Sequence, residues 1–335
     1  MANLTQLLHF LKKDTGLVAA TIEVQCRISE MINEIYSILV STVQEEILED
    51  LYASILEYTE LPIIVKFDSH YSFFSGRKSF LVCIPPKITP SLDSPKFNKQ
   101  SSKNKSPSTI INILQNLLSK MIRFNVHPRI RQRIFQQLFY YLGAELMNRV
   151  ISNKQYCSRS KSLQIRMNLS SIEEWLSESI HDIPSDNETL HRYLQPVIQL
   201  TLLLQAVTSL RSLSVFLETM RSFTSLSTLQ VHSAMFNYKY EVGEESFPME
   251  VEKHVQLVVD NLEIESRKND GAQSIDENDD DDNEERNRME TTMILAFKTP
   301  SVGIEDVMWD GSRSIPVICK ELLDILNPRT SSELS

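Results

Sequence analysis

Glycine is scarce: seven residues in 335, at positions 16, 76, 143, 243, 271, 303 and 311. No two lie within seven positions of each other. The P-loop, the dinucleotide fingerprint and the Gly-x-Ser-x-Gly nucleophile turn all need a closer pair, so none of these phosphate cradles or acyl-transfer elbows is present as a local motif. Few glycines also leave little turn chemistry for a strand-rich fold. The four cysteines, Cys26, Cys83, Cys157 and Cys319, are scattered without a Cys-x-x-Cys pair. That spacing supports neither a zinc site nor a disulfide framework, and free thiols in a reducing compartment are expected. Among the seven histidines no two stand four apart and none lies three to five residues from a cysteine, so no metal ligand set is expected.

Other absences narrow the class further. The richest apolar window, Val197 to Val207, is interrupted by Gln199, Thr201 and Gln205 and falls short of a membrane span. The amino terminus lacks a charged region followed by an apolar core and a small-residue cleavage site. A cytoplasmic protein is the expectation. Net charge is −10, and the stretch 266–290 holds ten acids against four bases and so carries −6 of it. No basic face is left to argue for nucleic acid.

What is present is helical spacing. Hydrophobic residues make up 41% and charged residues 23%, and the apolar ones recur every three or four positions over most of the chain. The spacing predicts a short helix over Leu4 to Leu11 and a long one from Val18 to about Tyr58, stopped by Pro62. From 61 to 84 the period is lost, with β-branched or aromatic runs at 63–67 and 80–84 that suit a small hairpin or packed loop. A proline- and lysine-containing linker follows to Ser108, with too little apolar area to order itself. Helical spacing resumes at Ile110 and reaches Ile122 before Pro128.

The centre of the chain is the stretch from His127 to Leu176. Ile130, Ile134, Leu138, Leu142, Leu146 and Val150 recur every four residues, widened by Phe135 and Phe139, with Arg129, Arg133 and Gln136 opposite. The period breaks at 156–160. Ser171-x-x-Glu174 is a capping-box pattern and predicts the start of the next helix ahead of Trp175. Helices are then expected at about Leu190 to Val207, Leu213 to Phe223, Ser227 to Phe236, and from Pro248 to Ile264. The acidic run Asp279 to Asp282 reads as a disordered loop, and a latch against the lysine linker is the sharper alternative. An extended stretch from Met293 to Pro300 and a last helix opened by Pro316 end the chain.

These segments give the expected organisation: amino-terminal helices at 1–60, an irregular segment and linker at 61–108, a helical core at 109–265, the acidic loop at 266–290, and an extended segment and helix at 291–335 that pack back on the body.

Chemistry-bearing candidates are few. Cys157 with distant histidines is formally a nucleophile pair, but its place in a Tyr-Cys-Ser turn suits packing. His127 before Pro128 reads as a capped or solvated ring. Glu173 and Glu174 are neighbours on a helix and point apart, so they form no carboxylate dyad. Trp175 is either an interface anchor or core, and its place just inside a helix favours core. No catalytic, cofactor-binding or metal residue is predicted, and grooves between helices remain as sites for a partner helix or peptide.

The order Gln137 to Phe139 (Gln-Leu-Phe), Leu146 to Asn148 (Leu-Met-Asn), Tyr156 to Ser158 (Tyr-Cys-Ser), Ile165 to Leu169 (Ile-Arg-Met-Asn-Leu) and Glu173 to Leu176 (Glu-Glu-Trp-Leu) resembles the dilute domain. That domain forms the second half of the cargo-binding globular tail of class V myosins. Leu7 to Leu11, Leu-Leu-His-Phe-Leu, looks like a helix found earlier in the same tail, and the group Leu229, Gln230, Phe236, Tyr238 and Tyr240 also resembles the dilute domain. The chain departs from the pattern at Arg149 and Val150, where the family usually has two leucines. The resemblance implies an elongated all-α multi-helix assembly without motor, neck or coiled coil. It implies a non-enzymatic adaptor for organelle or vesicle receptors or Rab-type small GTPases in actin-based transport. The alternative is a scaffold or regulator that joins a class V myosin heavy chain and modulates cargo attachment. Partner contacts are expected between Leu190 and Ile264, with Arg192 and Glu252 as exposed rim charges.

Overall fold

The computed structural model describes residues 1–13, 15–59, 105–179, 182–183, 187–269, 288–292 and 295. The runs at 63–67 and 80–84, the linker up to 104, the acidic run, and the expected extended stretch and last helix beyond 295 lie outside the described residues, as do Cys83 and Cys319. Every regular element among the described residues is helical.

Three helices open the chain: α1 (Ala2–Lys13), α2 (Thr15–Ala20) and α3 (Ile22–Leu51), the last continuing into a π-turn at Tyr52–Leu56. α3 buries Ile28, Ile32, Tyr36, Val40, Val43, Ile47 and Leu51 along one side, the three-and-four spacing of an amphipathic helix. Ile22 and Met31, apolar residues of the same helix, stand outside that stripe and are exposed. The end of α3 is held by side chains from residues 156–168. Asn168 donates to the carbonyls of Ile55 (2.8 Å) and Tyr58 (2.9 Å), Lys161 to that of Leu56 (3.4 Å), and the Tyr156 hydroxyl to the Glu57 carboxylate (2.6 Å). Asn168 and Lys161 thereby supply partners to carbonyls at a helix end, which lack intrahelical donors.

α4 (Pro107–Arg123) starts with proline at its first position and a Ser106 N–H that donates to the Thr109 hydroxyl at 3.3 Å. α5 (Pro128–Ile151) starts the same way, capped by His127, whose Nδ1 accepts from the Arg129 N–H at 3.2 Å. α6 (Arg159–Glu178) is capped by Ser158, which accepts from the Lys161 N–H at 3.4 Å. The helix start expected at Ser171 is therefore wrong. Ser171 lies inside α6, because Ile165, Leu169, Ile172 and Leu176 continue one buried face across it and the polar connection shrinks to the residues between Ile151 and Ser158. α7 (Asn187–Ala206) passes through a short 3-10 turn at Val207–Ser209, and α8 (Leu213–Ser222), α9 (Thr228–Phe236) and α10 (Met249–Asn269) complete the described helices. α10 ends at Asn269, where the spacing suggested Ile264.

α5 is the hub. It packs on α3, α7 and α9, and its burial extends round the helix to Gln136, Gln137, Tyr140, Tyr141 and Gly143. Gln136, expected on the solvent face, is buried and accepts from Arg133 at 2.8 Å. A helix wrapped on several sides keeps its polar groups by pairing them, not by exposing them. Gly143 sets the approach of α7: a Cβ there would lie 2.2 Å from the Tyr193 carbonyl oxygen, so the position admits no side chain without moving α7. One large core runs from Tyr36 through α4 to α10, while Leu8, Leu11, Ile28 and Ile32 form a separate small cluster between α1 and the start of α3.

Candidate functional site

The carboxyl-terminal helices carry large apolar side chains that the core does not absorb. Phe236 at the end of α9 is 73% exposed, and Val242, Met249 and Leu257 are exposed in the following turn and on α10. Single exposed apolar residues need no explanation, but these stand on or between two packed helices. Phe236 stacks on His232 with ring centroids 6.3 Å apart, and Lys154 lies 5.1 Å above the Phe236 ring. His232 in turn meets Gln256 of α10 at 3.1 Å. An aromatic face bordered by a cation, an imidazole and an amide can take an apolar anchor and orient it with polar contacts at the edge.

The backbone beneath this face is fixed by local sequence. Ser227 and Gln230 form a reciprocal capping box, with Ser227 N–H to Gln230 Oε1 at 3.0 Å and Gln230 N–H to Ser227 Oγ at 3.2 Å. After α9, Asn237 donates to the Ile151 carbonyl (2.8 Å) and the Lys239 N–H to the Cys157 carbonyl (2.7 Å), stapling the turn to the α5–α6 connection. Tyr238 donates to Glu244 at 3.0 Å, and its ring meets that of Tyr240 edge-on at 5.0 Å. Burial raises the Tyr238 hydroxyl pKa, and the neighbouring Glu244 and Glu241 carboxylates add to it, so it remains a neutral donor. Glu241 reaches the start of α6, accepting from the Ser160 N–H (2.8 Å) and hydroxyl (2.7 Å). Burial works to raise the Glu241 pKa, but the Ser160 bonds, Ser158 and Arg159 outweigh it and hold the carboxyl below its ordinary value.

The residues singled out in the sequence fall in different places. Glu252 is exposed on α10, one turn before Gln256 and so at the border of this face; Arg192 is exposed on α7, which packs on α5, α6 and α9. Trp175 is buried, donates to Gln115 at 2.8 Å and lies against Phe135, a core role. Cys157 is buried, its thiol donates to the Val150 carbonyl at 3.1 Å, and burial pushes its pKa up to about 12, so it holds no thiolate at neutral pH. Glu173 and Glu174 diverge: Glu174 is exposed, while Glu173 pairs with Arg166 and lies 3.8 Å from His191. Burial works to raise the Glu173 pKa, but those partners hold it below the ordinary value. Among the described residues no group of histidine, cysteine and carboxylate side chains could hold a metal, and no helix is long and apolar enough to cross a membrane.

One set of contacts was not legible in the sequence. Met289, Glu290 and Leu295 contribute main-chain partners to Gln137, Tyr140 and Asn148 of α5.

Comparison with known proteins places this architecture. Residues 133–242 match the DIL domain. A dilute domain-containing protein of Schizosaccharomyces pombe is 30% identical over 256 residues, which are 73% of this chain and 43% of that protein. A myosin V cargo binding domain superposes with a TM-score of 0.58 at 17% identity, over 79% of this chain and 60% of that one. Myo2-GTD in complex with Inp2 gives a TM-score of 0.57 at 15% identity, over 82% of this chain and 62% of that one. The chain thus spans less than half of the fission-yeast relative and about three-fifths of the two structures. At these identities the structural likeness establishes the fold, the all-α arrangement of a myosin V cargo-binding domain.

Proposed function

We propose that this chain, which carries a DIL domain and has the fold of the myosin V cargo-binding domain, is a non-enzymatic, cytoplasmic adaptor. Its partners are proteins of actin-based transport: organelle or vesicle receptors, or small GTPases of the Rab type. The observation that carries this reading is Phe236, exposed at the end of α9 beside a turn pinned to the α5–α6 connection and bordered by Lys154 and His232. A rigid apolar centre with polar groups at its edge is what a protein partner needs, and no reaction follows from it. A solved neighbour of the same fold, Myo2-GTD, is in complex with a protein, Inp2, which supports a protein as the ligand class. Glu252 and Arg192 are the charges that steer association, each affecting the on-rate more than the final affinity.

Affinity capture from cytosol with the full chain, its Phe236→Asp variant and the reversals Glu252→Lys and Arg192→Glu tests the reading. Receptors or GTPases held by the wild type should be lost with Phe236→Asp and weakened several-fold by Glu252→Lys, with circular dichroism unchanged. Capture of a class V myosin heavy chain instead would favour a regulator of that motor. The purified chain should neither bind nor hydrolyse ATP, and should not sediment with actin by itself. Retention of every partner by all three variants would move the site elsewhere.

A further inference from the structure

The contact of α5 with residues 288–292 and Leu295 has the form of a bound peptide. Asn148 makes a paired contact with the main chain of Met289: its Nδ2 donates to the Met289 carbonyl at 2.8 Å and its Oδ1 accepts from the Met289 N–H at 2.7 Å. The Tyr140 hydroxyl donates to the Glu290 carbonyl at 2.7 Å, and Gln137 Oε1 accepts from the Leu295 N–H at 2.6 Å. All four bonds read main chain, so they demand no particular sequence. The contacts step along α5 from Asn148 through Tyr140 to Gln137. Arg288, Glu290 and Thr292 are exposed, while Met289, Thr291 and Leu295 are half-buried, and the backbone bends at Arg288, Thr291 and Thr292.

Specificity comes from the anchor. Met289 packs against the main hydrophobic core, and an unbranched, polarizable side chain fits such a shallow seat well. On α5, Ala144 stands between Tyr140 and Asn148 on the same face and is itself buried, which keeps the trough open. Beside the segment a groove of about 560 Å³ is lined by Glu145, Arg149 and Ser152 of the α5 end together with residues 288–292. The seat is thus neither sealed nor deeply buried. The features that hold the resident segment would hold another chain with a similar anchor.

We propose that the α5 face formed by Gln137, Tyr140 and Asn148 is a peptide-binding site that reads main chain. Residues 288–292 and Leu295 are its resident occupant, and a partner segment with a single methionine or leucine anchor takes their place in trans. The site is separate from the α9–α10 face and does not rest on the adaptor reading. A covalently joined occupant competes at a high effective concentration, so binding in trans strengthens as the resident anchor is weakened. The site is then closed by default and opens to partners that also disturb the segment.

The test uses the full chain and a fluorescent peptide of residues 288–295, Arg-Met-Glu-Thr-Thr-Met-Ile-Leu, followed by anisotropy. Met289→Ala should bind the peptide at least tenfold more tightly than wild type, and adding Asn148→Ala should abolish that gain. A second arm introduces a protease site between 270 and 287: after cleavage the labelled peptide should exchange with the released segment, and Asn148→Ala should again prevent its uptake. Equal binding to wild type and Met289→Ala, or binding that ignores Asn148 in both arms, overturns the proposal. Circular dichroism on each variant separates loss of the site from loss of the fold, and the cleaved wild-type arm decides the question if Met289→Ala does not fold.

Discussion

Two of the surfaces that expose apolar side chains differ in what stands behind them. On α3, Ile22, Val24, Met31 and Ile38 face outward from a helix whose first half rests on α1 through a small cluster of Leu8, Leu11, Ile28 and Ile32. On α9 and α10, Phe236, Met249 and Leu257 face outward from helices that share the main core through Val231, Met235, Val251 and Val255. The turn after α9 is also tied to the α5–α6 connection, by the Asn237 side chain and the Lys239 N–H. Exposure alone therefore does not mark a docking site. A surface held in one geometry loses less entropy when a partner arrives, and the α9–α10 face has that advantage.

The strongest break is in the shared core. Leu138→Asp puts a carboxylate on a fully enclosed position of α5, with a cost of about 4 kcal/mol or more. It should abolish the cooperative thermal transition and remove both surfaces together. An unchanged melting temperature would remove α5 from the centre of the fold. Ile32→Asp should separate the two regions, because Ile32 belongs to the small cluster. Limited proteolysis is expected to cut the chain ahead of Val40 while α5 to α10 stay protected. Equal loss of protection everywhere would show that the two cores are one cooperative unit.

The smallest effect is electrostatic and sharpens the account of the carboxyl-terminal framework. Glu241 has a folded-state pKa below its ordinary value, so its contribution is complete above the unfolded carboxylate value and disappears as pH falls through the folded value. Glu241→Gln should lower the melting temperature at neutral pH by about 1–2 °C, from the ~0.3–1 kcal/mol typical of a carboxylate at a helix start. The difference from wild type should close as pH drops towards 4 and below. A gap that widens in acid would mean that Glu241 is not the group holding the start of α6.

The sequence was most readable where chemistry is local. Ser227, expected to open a helix, caps α9, and Pro128 opens α5, because the groups that satisfy the free N–H donors are three residues away or fewer; α4 instead starts at Pro107, inside the stretch read as linker. The four-residue spacing from Ile130 to Val150 located α5 for the same reason. It failed where tertiary contacts decide. Ser171 with Glu174 fits a capping box, yet the buried face of α6 runs through it, and Glu173 is engaged by Arg166 and His191. Gln136 is polar and buried because Arg133 pairs with it, which no periodicity reveals. Of the two rim charges, Glu252 borders the α9–α10 face only because α9 and α10 meet at His232 and Gln256. The pairing of Asn148 with Met289 spans 141 residues and left no local trace.

Hydrogen–deuterium exchange of the full chain with and without a captured partner compares the two surfaces in one experiment. The account predicts slowed exchange in α9, the turn around Lys239 and α10, with the amino-terminal half of α3 unchanged. Protection confined to α1 and α3, with α9 and α10 exchanging as in the free chain, would contradict it.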